Sequence, residues 1–104
     1  MEFGKAIEAL KEGKMVAREG WNGKGLFIFM QIPSEISMDI VPKMQSLPQS
    51  VKLEFAMRRM AHSVPEDASI TYQNQLAMVY PDNSIYGWVA SPSDVLEGDW
   101  IILD

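Results

Sequence analysis

Apolar residues near the front of the chain recur every three or four positions. Phe3, Ala6, Ile7 and Leu10 fall on one side, with Lys5, Glu8, Lys11 and Glu12 on the other. That period predicts an amphipathic helix. Gly13 reads as its C-cap, and Lys11 and Lys14 suit its negative end. Residues 15–18 read as a short strand. Residues 26–32 are rich in β-branched and aromatic side chains without alternation, as in a central strand covered on both faces, and Pro33 stops it. Residues 34–42 have only a weak period and read as irregular, and residues 46–50, with Pro48, as a loop or helix entry. Good helix formers over 51–62 predict a second helix ending before Pro65. Residues 69–80 read as a long strand with a break near Asn74. Pro81-Asp82-Asn83-Ser84 is a turn and 85–90 the returning strand, which together make a hairpin. Ser91 as N-cap, Pro92 at the first helical position and Asp94 at the third predict a single helical turn. A final strand follows at 100–103.

The sum is an α+β fold in one domain, residues 1–104. The N-terminal helix packs on an antiparallel sheet of about five strands, with a helical insertion between strands and a short helical turn before the last strand. The helix covers one face of the sheet. The other face has no evident cover in so short a chain, which predicts a symmetric homo-oligomer.

Composition narrows the function. With 104 residues, a net charge of -5 and a hydrophobic fraction of 47%, the chain can bury one core. Its acidity argues against general duplex-DNA binding, which depends on Lys and Arg neutralising phosphates. A small anionic ligand stays open, because a few backbone N–H groups and local cations are enough to hold phosphate. There is no cysteine, so thiol catalysis and disulfides are excluded. No signal-peptide pattern is visible, and the longest apolar run is far too short to cross a bilayer. One histidine, His62, and carboxylates without metal-site spacing give no expected metal centre.

Between the first two strand-like runs lies Arg18-Glu19-Gly20-Trp21-Asn22-Gly23-Lys24-Gly25. Asn-Gly is a turn signal, so Trp21 is carried on a loop or strand end. Spacing alone favours a core role for it; the rest of the chain moves it toward a ligand. No nucleophile elbow, P-loop or dinucleotide fingerprint occurs. His62 reads as a surface residue at a helix end, and Asp94 has a sufficient role as the third residue of a helix. No catalytic residues and no cofactor are therefore expected. The aromatics suit binding better. Trp21 and Trp88, with Tyr86 and Phe27, offer surfaces for stacking a nucleobase. Lys24 and Arg18 could serve phosphates, and Asn22, Asn74 and Ser91 offer neutral hydrogen bonds. Trp100, within a strand of Ile and Leu, reads as core. For Trp88 both readings stay open.

The opening Phe3-Gly4-x-Ala6-x-Glu8-Ala9-Leu10-Lys11-x-Gly13-Lys14-x-Val16-Ala17-Arg18-x-Gly20-Trp21-Asn22-Gly23-Lys24-Gly25 is followed by Phe27-Ile28-Phe29. The close runs Gly87-Trp88-Val89-Ala90-Ser91-x-x-Asp94-Val95-Leu96-x-x-Asp99-Trp100. Together these resemble the second type of phage Thoeris anti-defence (Tad) protein, a family some of whose members were also reported as type II-A anti-CRISPR inhibitors. The resemblance implies a non-enzymatic sponge acting in the cytoplasm of the infected host. It implies a homotetramer, a dimer of dimers, that sequesters a cyclic ADP-ribose isomer made by TIR enzymes. For some members it also implies cyclic oligonucleotide signals of the CBASS kind as ligands, at separate pockets. Carried over by position, the ligand-binding residues are Trp21, Asn22, Lys24, Trp88, Ala90, Ser91 and Asp94, with Asn74 added from its polarity. Pro92-Ser93 stands where many relatives have Gln-Thr or Gln-x, which stiffens the turn and removes one N–H. The partner expected is thus a small cyclic nucleotide, with no membrane and no direct nucleic-acid binding. The alternative is a protein-binding anti-CRISPR whose acidic face competes with nucleic acid for a basic channel.

Overall fold

The apolar row at the start of the chain winds helix α1, Phe3–Lys11, and buries Ala6, Ala9 and Leu10. Gly13, at φ 88°, ends it. Its N–H donates to the Leu10 carbonyl at 3.0 Å and that of Lys14 to the Ala9 carbonyl at 3.1 Å. These two bonds form a Schellman motif, in which a left-handed residue satisfies the last carbonyls. Strand β1 is Met15–Arg18 and β2 is Phe27–Met30; then come β3, Ser34–Ser37, helix α2, Gln49–Ala61, and β4, Ser69–Tyr72. Strands β5, Leu76–Val79, and β6, Ile85–Gly87, precede helix α3, Pro92–Leu96, and β7, Trp100–Leu103. The computed structural model describes residues 1–21, 23–61 and 69–103.

They divide into two compact units, Met1–Ile32 with Asn74–Asp104, and Pro33–Gln73. The first holds an antiparallel five-stranded sheet in the order β6-β5-β2-β1-β7. The register sets Val16 opposite Ile28 and Ile102, Arg18 opposite Trp100, and Ile28 opposite Met78. Opposed residues share a face, so Val16, Ile28, Met78 and Trp100 all point toward α1. There they join Ala6, Ala9 and Leu10 in one buried core. Met15, Ala17, Phe27, Phe29, Ala77, Val79, Ile101 and Leu103 lie on the opposite face, which is apolar throughout. Both helices of this unit pack on the first face, α1 through its buried residues and α3 through Asp94 and its contact with Trp100.

The α+β reading and its five-stranded sheet are thus observed, with β2 in the centre. Two details differ. Residues 34–37, expected to be irregular, form β3 and pair with β4 as a separate two-stranded sheet in the second unit. Residues 69–80 are not one broken strand of one sheet, because β4 and β5 belong to different sheets. The hairpin holds: Tyr80 and Ser84 close it at 2.9 Å, and Asn83 takes the left-handed conformation at φ 68°. The predicted second helix appears as α2, beginning two residues earlier; His62 lies outside the described residues.

Candidate functional site

Trp100 is the anchor of the site. It is buried, and its indole N–H donates to the Asp94 carbonyl at 2.8 Å. Three aromatic rings close on it. Trp21 meets it edge-on at 5.5 Å between centroids, Trp88 edge-on at 5.9 Å, and Phe3 tilted at 5.4 Å. Edge-to-face contact sets the positive rim of one ring against the negative face of another. Trp88 follows β6 and Trp100 opens β7, the two edge strands of the sheet. The cluster therefore bridges both edges across the face that carries α1.

Trp21 ends a 3₁₀ turn, Glu19–Trp21, immediately after β1. Lys24 closes the following turn with its N–H on the Trp21 carbonyl at 3.0 Å. Gly23 and Gly25 both take positive φ, 78° and 74°, as L side chains rarely do. Half-buried Trp21, with Gly23, Gly25, Leu26, Ala17, Phe27 and Leu103, lines a concavity of about 300 Å³. Ala17, Phe27 and Leu103 belong to the sheet face away from α1. Trp21 thus packs perpendicular to Trp100 of the core and also lines a hollow walled by residues of the opposite face. Trp88 is also half-buried, but it lies on the α1 side and does not line that hollow.

Ser91, Pro92 and Asp94 form the predicted helix start. The Ser91 hydroxyl accepts from the Asp94 N–H at 3.2 Å, and the Asp94 carboxylate accepts from the Ser91 N–H at 2.8 Å. This reciprocal pair is a capping box. The other Asp94 oxygen accepts from Arg18 Nη1 at 3.1 Å, while Arg18 Nε donates to Asp99 at 3.0 Å. Burial pushes the Asp94 carboxyl up, but the Ser91 bonds and the guanidinium outweigh it and hold it below its ordinary value. Arg18 is pushed above its already high value, chiefly by its bond to Asp99. The carboxylate of Asp94 is therefore committed to holding its segment in place. Arg18, read from sequence as a phosphate ligand, is committed to two carboxylates.

Of the other expected residues, Lys24 is exposed beside the Trp21 hollow, Ala90 is half-buried and Ser91 exposed. Asn74 is exposed, and its amide donates to the Met30 sulfur at 3.6 Å; two residues on, the Leu76 carbonyl accepts from the Trp88 N–H. Asn22 lies outside the described residues. Tyr86 pairs with Tyr80 at the hairpin, away from the tryptophans. A larger concavity of about 480 Å³ sits there, lined by Tyr80, Pro81, Asp82, Ser84 and Tyr86. Its charged group is Asp82, which the Ser84 N–H holds below its ordinary value. A fixed anion repels phosphate, so the Trp21 hollow is the better match to an anionic ligand. The local sequence does not show the double grip of Arg18, because it depends on the β1–β7 register that sets Arg18 opposite Trp100.

Over residues 1–103 the chain matches the model of the Tad2-like family, described as a Thoeris anti-defense 2-like domain. The chain belongs to that family. A relative from Bacillus phage SP01, named Thoeris anti-defense 2, is 31% identical over 103 residues, covering 99% of this chain and 94% of the relative. Membership supports a phage anti-defence role for this Tad2-like chain. No helix among its described residues is long and apolar enough to cross a membrane.

Proposed function

We propose that this Tad2-like protein is a non-enzymatic sponge that acts in the host cytoplasm. It captures a cyclic ADP-ribose isomer, with cyclic oligonucleotides as a further class of ligand, and withholds the signal from its effector. The observation that carries the reading is the placement of Trp21. Its indole is braced edge-on against buried Trp100 and still lines a hollow of about 300 Å³. That volume is at the lower end for small-molecule sites. A nucleobase suits the apolar wall and the indole, and Lys24, exposed in the same turn, suits a phosphate.

The hollow's walls from Ala17, Phe27 and Leu103 belong to the sheet face away from α1, where Phe27 and Leu103 are half-buried and Ala17 is buried. A ligand seated there by one copy would be enclosed by a second, in keeping with a homotetramer whose pockets lie between subunits. Helix α2 adds an outward stripe for further contact. Leu53, Met57 and Met60, spaced by four and three residues, are 58%, 55% and 84% exposed. Binding without turnover is in keeping with the occupation of Asp94, the buried charged residue among those described.

The test is to mix protein with the cyclic ADP-ribose isomer, remove free ligand, denature by heat and analyse what is released. Intact ligand in stoichiometric amount is the expected result. Recovery of a cleaved product would make the protein an enzyme, and recovery of nothing would remove the proposal.

A further inference from the structure

Arg18 lies three residues before Trp21, and its two partners flank the other halves of the aromatic cluster. Asp94 caps the helix that follows Trp88, and Asp99 immediately precedes Trp100. One guanidinium thus joins three chain segments by bonds of 3.1 Å to Asp94 and 3.0 Å to Asp99, with its own side chain 19% exposed. The backbone ties two of the same segments, the Glu19 N–H donating to the Asp99 carbonyl at 2.9 Å. Asp94 passes the constraint on, since its carbonyl accepts the Trp100 indole N–H and its carboxylate accepts the Ser91 N–H. Neither outer indole sits within a strand: Trp21 ends a 3₁₀ turn and Trp88 follows β6. The Trp88 N–H still donates to the Leu76 carbonyl at 2.9 Å, which anchors its backbone next to β6, but the angle of each ring to Trp100 is left to side-chain contacts.

We infer that Arg18 is a positioning residue: by gripping Asp94 and Asp99 together it sets the edge-on angles of Trp21 and Trp88 against Trp100, and so the attitude of Trp21 toward the hollow. Arg suits this task because its planar fork offers donors in fixed directions to two acceptors. Lys supplies one point charge on a flexible stem and cannot fix both. The ligand part of this inference rests on the sponge reading above; the geometric part does not.

The experiment compares wild type with Arg18→Met, Arg18→Lys and Asp99→Ala, using three readouts. These are a cooperative thermal melt, the exciton band of coupled indoles in circular dichroism, and affinity for the cyclic ADP-ribose isomer by titration. Arg18→Met is expected to change the exciton band and weaken binding at least about tenfold, with Arg18→Lys between it and wild type. Asp99→Ala deletes the acceptor for Arg18 Nε and so removes one bond of the grip while leaving Asp94 paired, so it reports even where Arg18→Met fails to fold; it is expected to shift the band in the same direction. A folded variant with an unchanged band would overturn the inference, as would a changed band with unaltered affinity. Should wild type bind none of the probe, the sponge reading falls while the exciton band still decides whether Arg18 sets the indole angles.

Discussion

The two units of the chain bury their apolar residues very unequally. Of the ten buried apolar residues among those described, Val41 alone belongs to the unit 33–73. The other unit has a continuous core under α1, where Trp100, Leu10, Ile28 and Val16 are fully enclosed. In α2, by contrast, the inward row Lys52, Phe55 and Arg59 is only half-buried and includes two cations, while its most apolar stripe faces outward. Hydrophobic stabilisation scales with area removed from water. One unit therefore has a rigid base on which a site can be fixed, and the other has apolar surface to offer to a partner.

Aromatic truncation tests that contrast with the largest expected effect. Trp100→Ala removes the ring on which Trp21, Trp88 and Phe3 all rest and should cost about 3–5 kcal/mol in urea denaturation. Phe55→Ala in α2 should cost on the order of 1 kcal/mol, because less area returns to water. Equal losses would mean that the second unit is as tightly packed as the first. Next come the end caps of the first unit. Ser91→Ala deletes the acceptor for the Asp94 N–H and should cost about 1 kcal/mol by the same measurement. Gly13→Ala places a side chain at positive φ and should also cost about 1 kcal/mol. No loss at either position would show that the helix ends of this unit are not under constraint.

The smallest effect appears as a slope against pH. Because the folded carboxyl of Asp94 lies below its ordinary value of 3.8, its ionised form stabilises the fold above that value. This contribution is lost as the pH falls through the lower, folded value. Wild-type stability should therefore decline in acid more steeply than that of Asp94→Asn. Identical slopes would mean that Asp94 contributes nothing to the pH dependence.

The same contrast explains what the sequence made legible. Helix α1, the Gly13 cap, β1, the Ser91-Pro92-Asp94 helix start and β7 all announce themselves within a dozen neighbouring residues. The β3–β4 pair does not, because Ser34–Ser37 is mostly polar and its partner lies more than 30 residues further on. The polar stretch Gln73-Asn74-Gln75 shows where a strand breaks, but not that the two sides enter different sheets. At the site, Trp21 and Trp88 were recognisable as aromatics with a choice of roles. Which way each faces depends on register: both touch Trp100, yet only Trp21 lines the hollow. Arg18 shows the same dependence. Beside Trp21 in sequence it looks like a phosphate ligand, and in the fold it is shared between Asp94 and Asp99.

The central claim is that Trp21, where it lines the hollow, holds a nucleobase. Calorimetric titration of the cyclic ADP-ribose isomer into wild type and Trp21→Ala, with both shown to melt cooperatively, tests it most directly. Loss of the stacking surface should weaken binding by about 1–3 kcal/mol. A folded Trp21→Ala protein that binds the ligand as tightly as wild type would contradict it.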